Sequence, residues 1–182
     1  MLQPNFHPFP ELKTERLVLR RLTLDDKEAM FFLRSDKRVL QFLQKEPAAS
    51  LKEAEDFIHR ILGDMDNNEA IMWAITLEEN PGHLIGTICY WRIQKEHHRA
   101  EIGYVLHPDY WQKGIMKEAI QKVLDYGFNT LQLHSVEGRI NPDNKPSAAT
   151  LESTGFIRGA YFKEDFLFNG KFGDTAVYSR LK

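Results

Sequence analysis

At 182 residues the chain has the size of one ordinary domain, long enough to bury about 70% of its unfolded surface with no metal or disulfide required. The formal net charge of −2 leaves no basic excess to neutralise phosphates, which argues against nucleic acid as the main partner. Cys89 is the only cysteine, so an internal disulfide is excluded and a cytoplasmic setting is expected. No apolar run has membrane-spanning length, and MLQPNFHPFP lacks the regions of a signal peptide.

In chain order, Thr14 to Arg21 (TERLVLRR) reads as a first strand. Thr23 with Asp26 opens a helix whose apolar face is Ala29, Met30 and Leu33, and a looser helical piece follows at Val39 to Leu43. Ser50 and Glu53 form a capping box, and Leu51, Ala54, Phe57, Ile58, Ile61 and Leu62 recur at helical spacing behind it. Ala70 to Leu77 and Leu84 to Arg92 make a hairpin across Asn80-Pro81-Gly82, and Ala100 to Leu106 continues the antiparallel meander as the fourth strand. Cys89 lies in an apolar run and is expected to be an inert, buried thiol. After Gly114 a helix puts Ile115, Ala119, Ile120, Val123, Leu124 and Phe128 on one side. That crossover makes the fifth strand, His134 to Ile140, parallel to the fourth. A short helix, Ser147 to Thr154, ends at Gly155. Strands Gly159 to Phe168 and Lys171 to Leu181 then turn about Asn169-Gly170.

The stretch Ala100 to Ala119, AEIGYVLHPDYWQKGIMKEA, carries the chemistry. A strand, a glycine-bearing turn and a helix start gather several backbone N–H groups at the positive end of a helix dipole, which is an anion site. It is neither a Walker loop nor a dinucleotide fingerprint, because the further glycines those need are absent. The wording resembles the acetyl-CoA-binding motif of the GNAT acyltransferases, in particular the branch acetylating N-terminal amines of ribosomal proteins (RimJ/RimL type). That turn is written Q/R-x-x-G-x-G/A. Trp111 stands at its first position, Gly114 at its glycine, and Met116 where glycine or alanine is usual. A second block, NPDNKPSAATLESTGF from Asn141 to Phe156, is similar to the family's segment after the fifth strand.

The resemblance implies a single α/β domain over 1–182. Its mixed, mostly antiparallel sheet would have about seven strands flanked by helices, with the fourth and fifth splayed to admit acetyl-CoA. Backbone groups at Val105, Leu106 and His107 would pair with the pantetheine arm, the Leu106 N–H holding the thioester carbonyl. The amides of Gln112, Lys113, Gly114, Ile115, Met116 and Lys117 would hold the pyrophosphate. Asn144 and Ser147 would meet the CoA near its sulfur, Ser147 as orienting group and acid; both can equally be read as helix caps. Glu101 would be the catalytic base, or else a solvent-facing strand carboxylate; His97 and His98 are nearby alternatives. Some members of the branch carry a base glutamate on the late hairpin; Phe166 stands at that position, beside Glu164 and Asp165. Tyr161 is a further candidate acid or base, and Trp73, Tyr90 and Trp91 are candidates to line the acceptor cleft.

The expected reaction is acetyl transfer to a primary amine, a protein N-terminal α-amine before a small-molecule amine or antibiotic. A non-catalytic acyl-CoA-binding module is the reading from another class. An acidic groove beside the thiol would fit a basic peptide, and a closed pocket a metabolite. The expected partners are acetyl-CoA and an amine, for a monomer or homodimer, with neither membrane nor metal.

Overall fold

The computed structural model describes residues 1–182 as one sheet with helices on both faces. The strands are β1 (Leu12–Lys13), β2 (Leu17–Arg21), β3 (Ile71–Leu77), β4 (Gly86–Gln94), β5 (Arg99–Leu106), β6 (Ser135–Ile140), β7 (Ile157–Phe168) and β8 (Lys171–Leu181). The helices are α1 (Lys27–Ser35), α2 (Lys37–Leu40), α3 (Leu51–Asp66), α4 (Ile115–Asp125) and α5 (Lys145–Ser153). The order across the sheet is β1-β2-β3-β4-β5-β6-β8-β7, and only β5 and β6 run parallel.

This is the expected mixed, mostly antiparallel α/β sheet, with eight strands in place of about seven. The extra strand has a local cause. The Thr14 N–H donates to the Leu17 carbonyl, and the Thr14 hydroxyl accepts the Leu17 N–H at 3.0 Å. That turn cuts the expected first strand short and leaves Leu12 and Lys13 to pair back on Leu19 and Val18. The fourth and fifth strands of the sequence reading are therefore β5 and β6. The helix expected from Thr23 opens as a 3-10 turn, Leu24–Asp26. There the buried Asp26 accepts the Thr23 N–H and both arms of the Arg20 guanidinium.

Strand alternation sorts the sheet into two faces, since residues paired across strands point the same way. On one face Ile71, Trp73, Ile88, Tyr90 and Ile102 pack beneath α4, where the Tyr90 hydroxyl donates to the Val123 carbonyl at 3.0 Å. Trp73 is fully buried there, edge-on to Tyr90 and Tyr126, with its indole N–H bonded to the Pro10 carbonyl. On the other face Cys89, Trp91, Glu101 and Gly103 look toward the α1–α3 side. Burial of β3 from both sides explains its continuous apolar run IMWAITL. No helix is long and apolar enough to cross a membrane.

Candidate active site

The parallel ladder between β5 and β6 holds three residue pairs, Arg99↔Ser135, Ala100↔Val136 and Glu101↔Glu137, and then stops. β5 runs on to Leu106 with only β4 beside it, so the two strands splay from Glu101 onward. At the open end the Val105 carbonyl lies so near Gly86 that a Cβ there would meet it at 2.6 Å, which explains the glycine. A trans peptide plane points its N–H opposite to its C=O, so the N–H of that unit, belonging to Leu106, faces the gap. The Leu106 carbonyl, on the next peptide, is held by the Trp111 indole N–H at 2.8 Å. The His107 N–H donates to the Ile85 carbonyl and the His107 carbonyl accepts from the Tyr110 N–H, so both its backbone groups are engaged. Among the three pantetheine candidates, Leu106 is the one whose N–H the geometry directs into the gap.

The turn between β5 and α4 holds two left-handed residues, Gln112 at φ +59 and Gly114 at φ +75. Alternation of this kind curls successive amides around one concavity. Gly114 occupies the N-cap of α4 and offers no side chain, and the first intrahelical bond runs from the Glu118 N–H to the Gly114 carbonyl. The N–H groups of Ile115, Met116 and Lys117 thus precede the helix ladder and are free to receive an anion. The Ile115 and Met116 side chains are buried in the core beneath them. A larger residue where the family uses glycine or alanine therefore leaves the amides clear.

Arg16, which the sequence did not single out, braces this turn. Its guanidinium donates to the Lys113 carbonyl at 3.1 Å and to Glu118 at 2.8 Å, and Thr14 adds its hydroxyl to the same carboxylate. Burial pushes the Glu118 pKa up, but the bonds from Thr14 and Arg16 outweigh it and hold it below the usual range. Arg16→Gln removes the brace while sparing every amide. It is expected to raise the acetyl-CoA KM about five- to tenfold with kcat within twofold, on the scale of one charged hydrogen bond. Steady-state kinetics at saturating amine would show it.

Across the splay, the Ser147 hydroxyl lies 2.8 Å from the Tyr104 hydroxyl, bridging α5 to β5. Asn144 is the N-cap of α5, its side-chain oxygen accepting the Ser147 N–H at 3.1 Å. Its amide oxygen is therefore committed to the helix, and what it offers a ligand is its NH2. Burial pushes the Tyr104 hydroxyl up to about 12, so it stays protonated and can donate. Tyr104 escaped the sequence reading because a tyrosine in a half-apolar strand looks like core; only the α5 contact distinguishes it.

Glu101 is 7% exposed on the opposite face. Burial raises its pKa, partly offset by Arg92, whose guanidinium donates to it at 3.1 Å, and by Arg139 and Lys45. The solvent-facing reading of this carboxylate is thereby overturned. His97 and His98 lie beyond the other end of β5, which spans about 23 Å from Arg99 to Leu106 at 3.3 Å per residue. Neither histidine is near the open end of the splay. The Tyr161 hydroxyl is engaged by Asp174 on the outer hairpin. Phe166 and Glu164 sit on that hairpin, while Asp165 turns inward to Arg139 at 3.5 Å. Of the three aromatic candidates, Trp73 and Tyr90 are core, and Trp91 alone faces the Glu101 side. Desolvation holds the Cys89 thiol at about 12, which keeps it inert.

Residues 16–157 match the family model described as an acetyltransferase (GNAT) domain. The uncharacterized N-acetyltransferase YoaA of Bacillus subtilis is 34% identical over 174 residues, covering 96% of this chain and 98% of its own. Spermidine N(1)-acetyltransferase of Vibrio cholerae is 25% identical, covering 88% of this chain and 90% of its own. The crystal structure of ribosomal-protein-S5-alanine acetyltransferase from Vibrio fischeri superposes with a TM-score of 0.83 at 23% identity, over 94% of this chain and 96% of that one, a likeness of fold. With its splayed strands, its amide-lined turn and a family match over most of its length, the chain belongs to the GNAT family of N-acetyltransferases.

Proposed function

We propose that the protein transfers an acetyl group from acetyl-CoA to a primary amine, with a protein N-terminal α-amine as the first candidate. One observation carries this reading: the free amides at Gly114 and the inward-facing Leu106 N–H lie on one open edge, with the buried Glu101 carboxylate on the same strand. Acetyl-CoA supplies the activated thioester; the residues present suit it, since a capless helix start and a splayed strand offer donors to its pyrophosphate and acyl carbonyl. The amides of Gln112 to Lys117 hold the phosphates, and the Leu106 N–H orients the carbonyl. Glu101 accepts the proton from the amine. It lies about 16 Å from Leu106 along β5 at 3.3 Å per residue, so the proton travels through water.

An α-amine with pKa near 8 is about 10% neutral at pH 7, against less than roughly 0.1% for a lysine side chain. The α-amine therefore asks less of a base acting at a distance. Tyr104 and Ser147 form a hydroxyl pair beside the sulfur's place and deliver a proton there as a relay. Ser147→Ala and Tyr104→Phe are each expected to lower kcat about tenfold, with little further loss in the double variant, because they act as one unit.

The test is thiol release from acetyl-CoA over a panel of N-terminal peptides and small amines. Turnover of at least one α-amine, lost in Glu101→Gln, is expected. Tight CoA binding with no turnover across the panel would instead assign a non-catalytic acyl-CoA-binding role.

A further inference from the structure

A cleft of about 470 Å³ lies at the opposite end of α4 from the Gly114 turn. The helix sets about 16 Å between the two, at 1.5 Å per residue. Four elements wall the cleft: the last turn of α4, the π turn Tyr126–Thr130, the end of α5, and Arg180 of β8. A π turn closing a helix frequently marks a functional position, since the extra residue widens the backbone there. Leu124 and Phe128 are the only apolar side chains in the lining; both are buried and form its floor.

Arg180 enters the cleft from the sheet. It pairs with Val136, and Val136 pairs with Ala100, so its side chain rises on the face that α4 covers. The guanidinium lies so close to Gly155, just past the end of α5, that a Cβ there would collide with it. The partial negative charge of that helix end draws the guanidinium in. No carboxylate meets it: Arg180 joins no ion pair, and its Nε is buried with no hydrogen-bond partner. A buried donor without an acceptor is unfavourable, and a ligand oxygen would relieve it. Asp125, exposed on α4, lines the same cleft and joins no ion pair either. The Asn129 amide donates to its Oδ1 at 2.7 Å, which steadies the carboxylate and leaves Oδ2 free. A simple anion would be repelled by Asp125 and a simple cation by Arg180, so the two unpaired charges together suit a ligand carrying both signs.

We infer that this cleft binds a free α-amino acid with an apolar side chain. Its carboxylate meets Arg180, its ammonium meets Asp125, and its side chain rests on Leu124 and Phe128. A guanidinium fork matches a carboxylate, and the cleft has the volume of a small-molecule site. The site goes beyond the proposed acetyl transfer and shares no residue with the Gly114 turn, Leu106, Glu101 or the Tyr104–Ser147 pair.

The test is calorimetry on the full chain in the presence of excess CoA, with leucine, methionine and phenylalanine as probes. Each is titrated beside its amide, which lacks the carboxylate, and its deaminated acid, which lacks the ammonium. At least one amino acid is expected to bind with a Kd below about 1 mM, and its two analogues about tenfold more weakly or worse. Arg180→Gln and Asp125→Asn should each weaken binding about tenfold, with Arg180→Lys recovering part of the loss. Asp125 is exposed, so its variant probes the site without threatening the fold. Glu101→Gln should leave the affinity as it is. Three results would overturn the site: no amino acid binding below about 1 mM, an analogue binding as tightly as its parent, or full affinity in either Arg180→Gln or Asp125→Asn. Binding lost in Glu101→Gln would overturn it too, because the amino acid would then occupy the acceptor site of the proposed reaction.

Discussion

Gly114→Asp is expected to raise the acetyl-CoA KM and Kd about a hundredfold or more, equivalent to about 2.8 kcal/mol, while the protein stays folded. Three effects point the same way. The glycine sits at φ +75, where a Cβ adds roughly 1 kcal/mol of strain that Asp tolerates better than most residues. The new carboxylate stands among the amides of Gln112 to Lys117 and repels the pyrophosphate they are proposed to hold. A Cβ at this point lies 3.6 Å from an Arg16 nitrogen, so the carboxylate also draws Arg16 from the Lys113 carbonyl that it braces. Gly114→Ala keeps the strain and drops the charge, so most of its affinity should survive. Isothermal titration with CoA, beside circular dichroism for folding, separates the two. Near-equal losses in the variants would assign the turn to backbone geometry alone.

Glu101→Gln is expected to lower kcat about a hundredfold to a thousandfold with the acetyl-CoA KM unchanged, the range general-base removal produces. The pH dependence has a definite sense. The base works ionised and burial raises its pKa, so wild-type kcat/KM should fall as pH drops through that raised value, and the limb should vanish in the variant. Stability moves the other way. A carboxylate whose folded pKa lies above its unfolded one stabilises the fold only while protonated, below the unfolded pKa. That contribution is lost as pH rises through the folded pKa. Gln is permanently neutral, so the melting temperature at pH 7 should stay level or rise, and Arg92, largely exposed, is left hydrated. A melting temperature that falls with only a small loss of kcat would give Glu101 a structural role.

Much of the fold was legible because its signals are local. The period of α4, the Ser50 cap of α3 and the Asn169-Gly170 turn are written in neighbouring residues, and each element appears where those residues put it. The boundaries that moved did so for equally local reasons, such as the Thr14–Leu17 turn and the π turn Tyr126–Thr130 that extends α4. The site was legible only where a contiguous stretch forms it, as from Trp111 to Lys117. Arg16 and Glu118, and Tyr104 and Ser147, meet across wide separations in the chain, and no periodicity encodes such meetings. The aromatic residues teach the same lesson from the other direction. Alternation alone says that Tyr90 and Trp91 face opposite ways, but not which way the cleft lies.

The splay between β5 and β6 makes the middle of the sheet an unfinished edge. Elsewhere such an edge invites a neighbouring molecule to add a strand. Here α5 is joined to β5 by the Tyr104–Ser147 hydroxyl pair, and the Trp111 indole caps the Leu106 carbonyl beside the opening. With acetyl-CoA as the proposed occupant of that edge, the domain's resistance to heat becomes a readout of its supply. At a hundred times its Kd a bound ligand adds about 2.7 kcal/mol, worth roughly 5–10 °C in a domain of this size. A cell short of acetyl groups would hold this enzyme in its softer form, and proteases that sample transient openings would find it sooner.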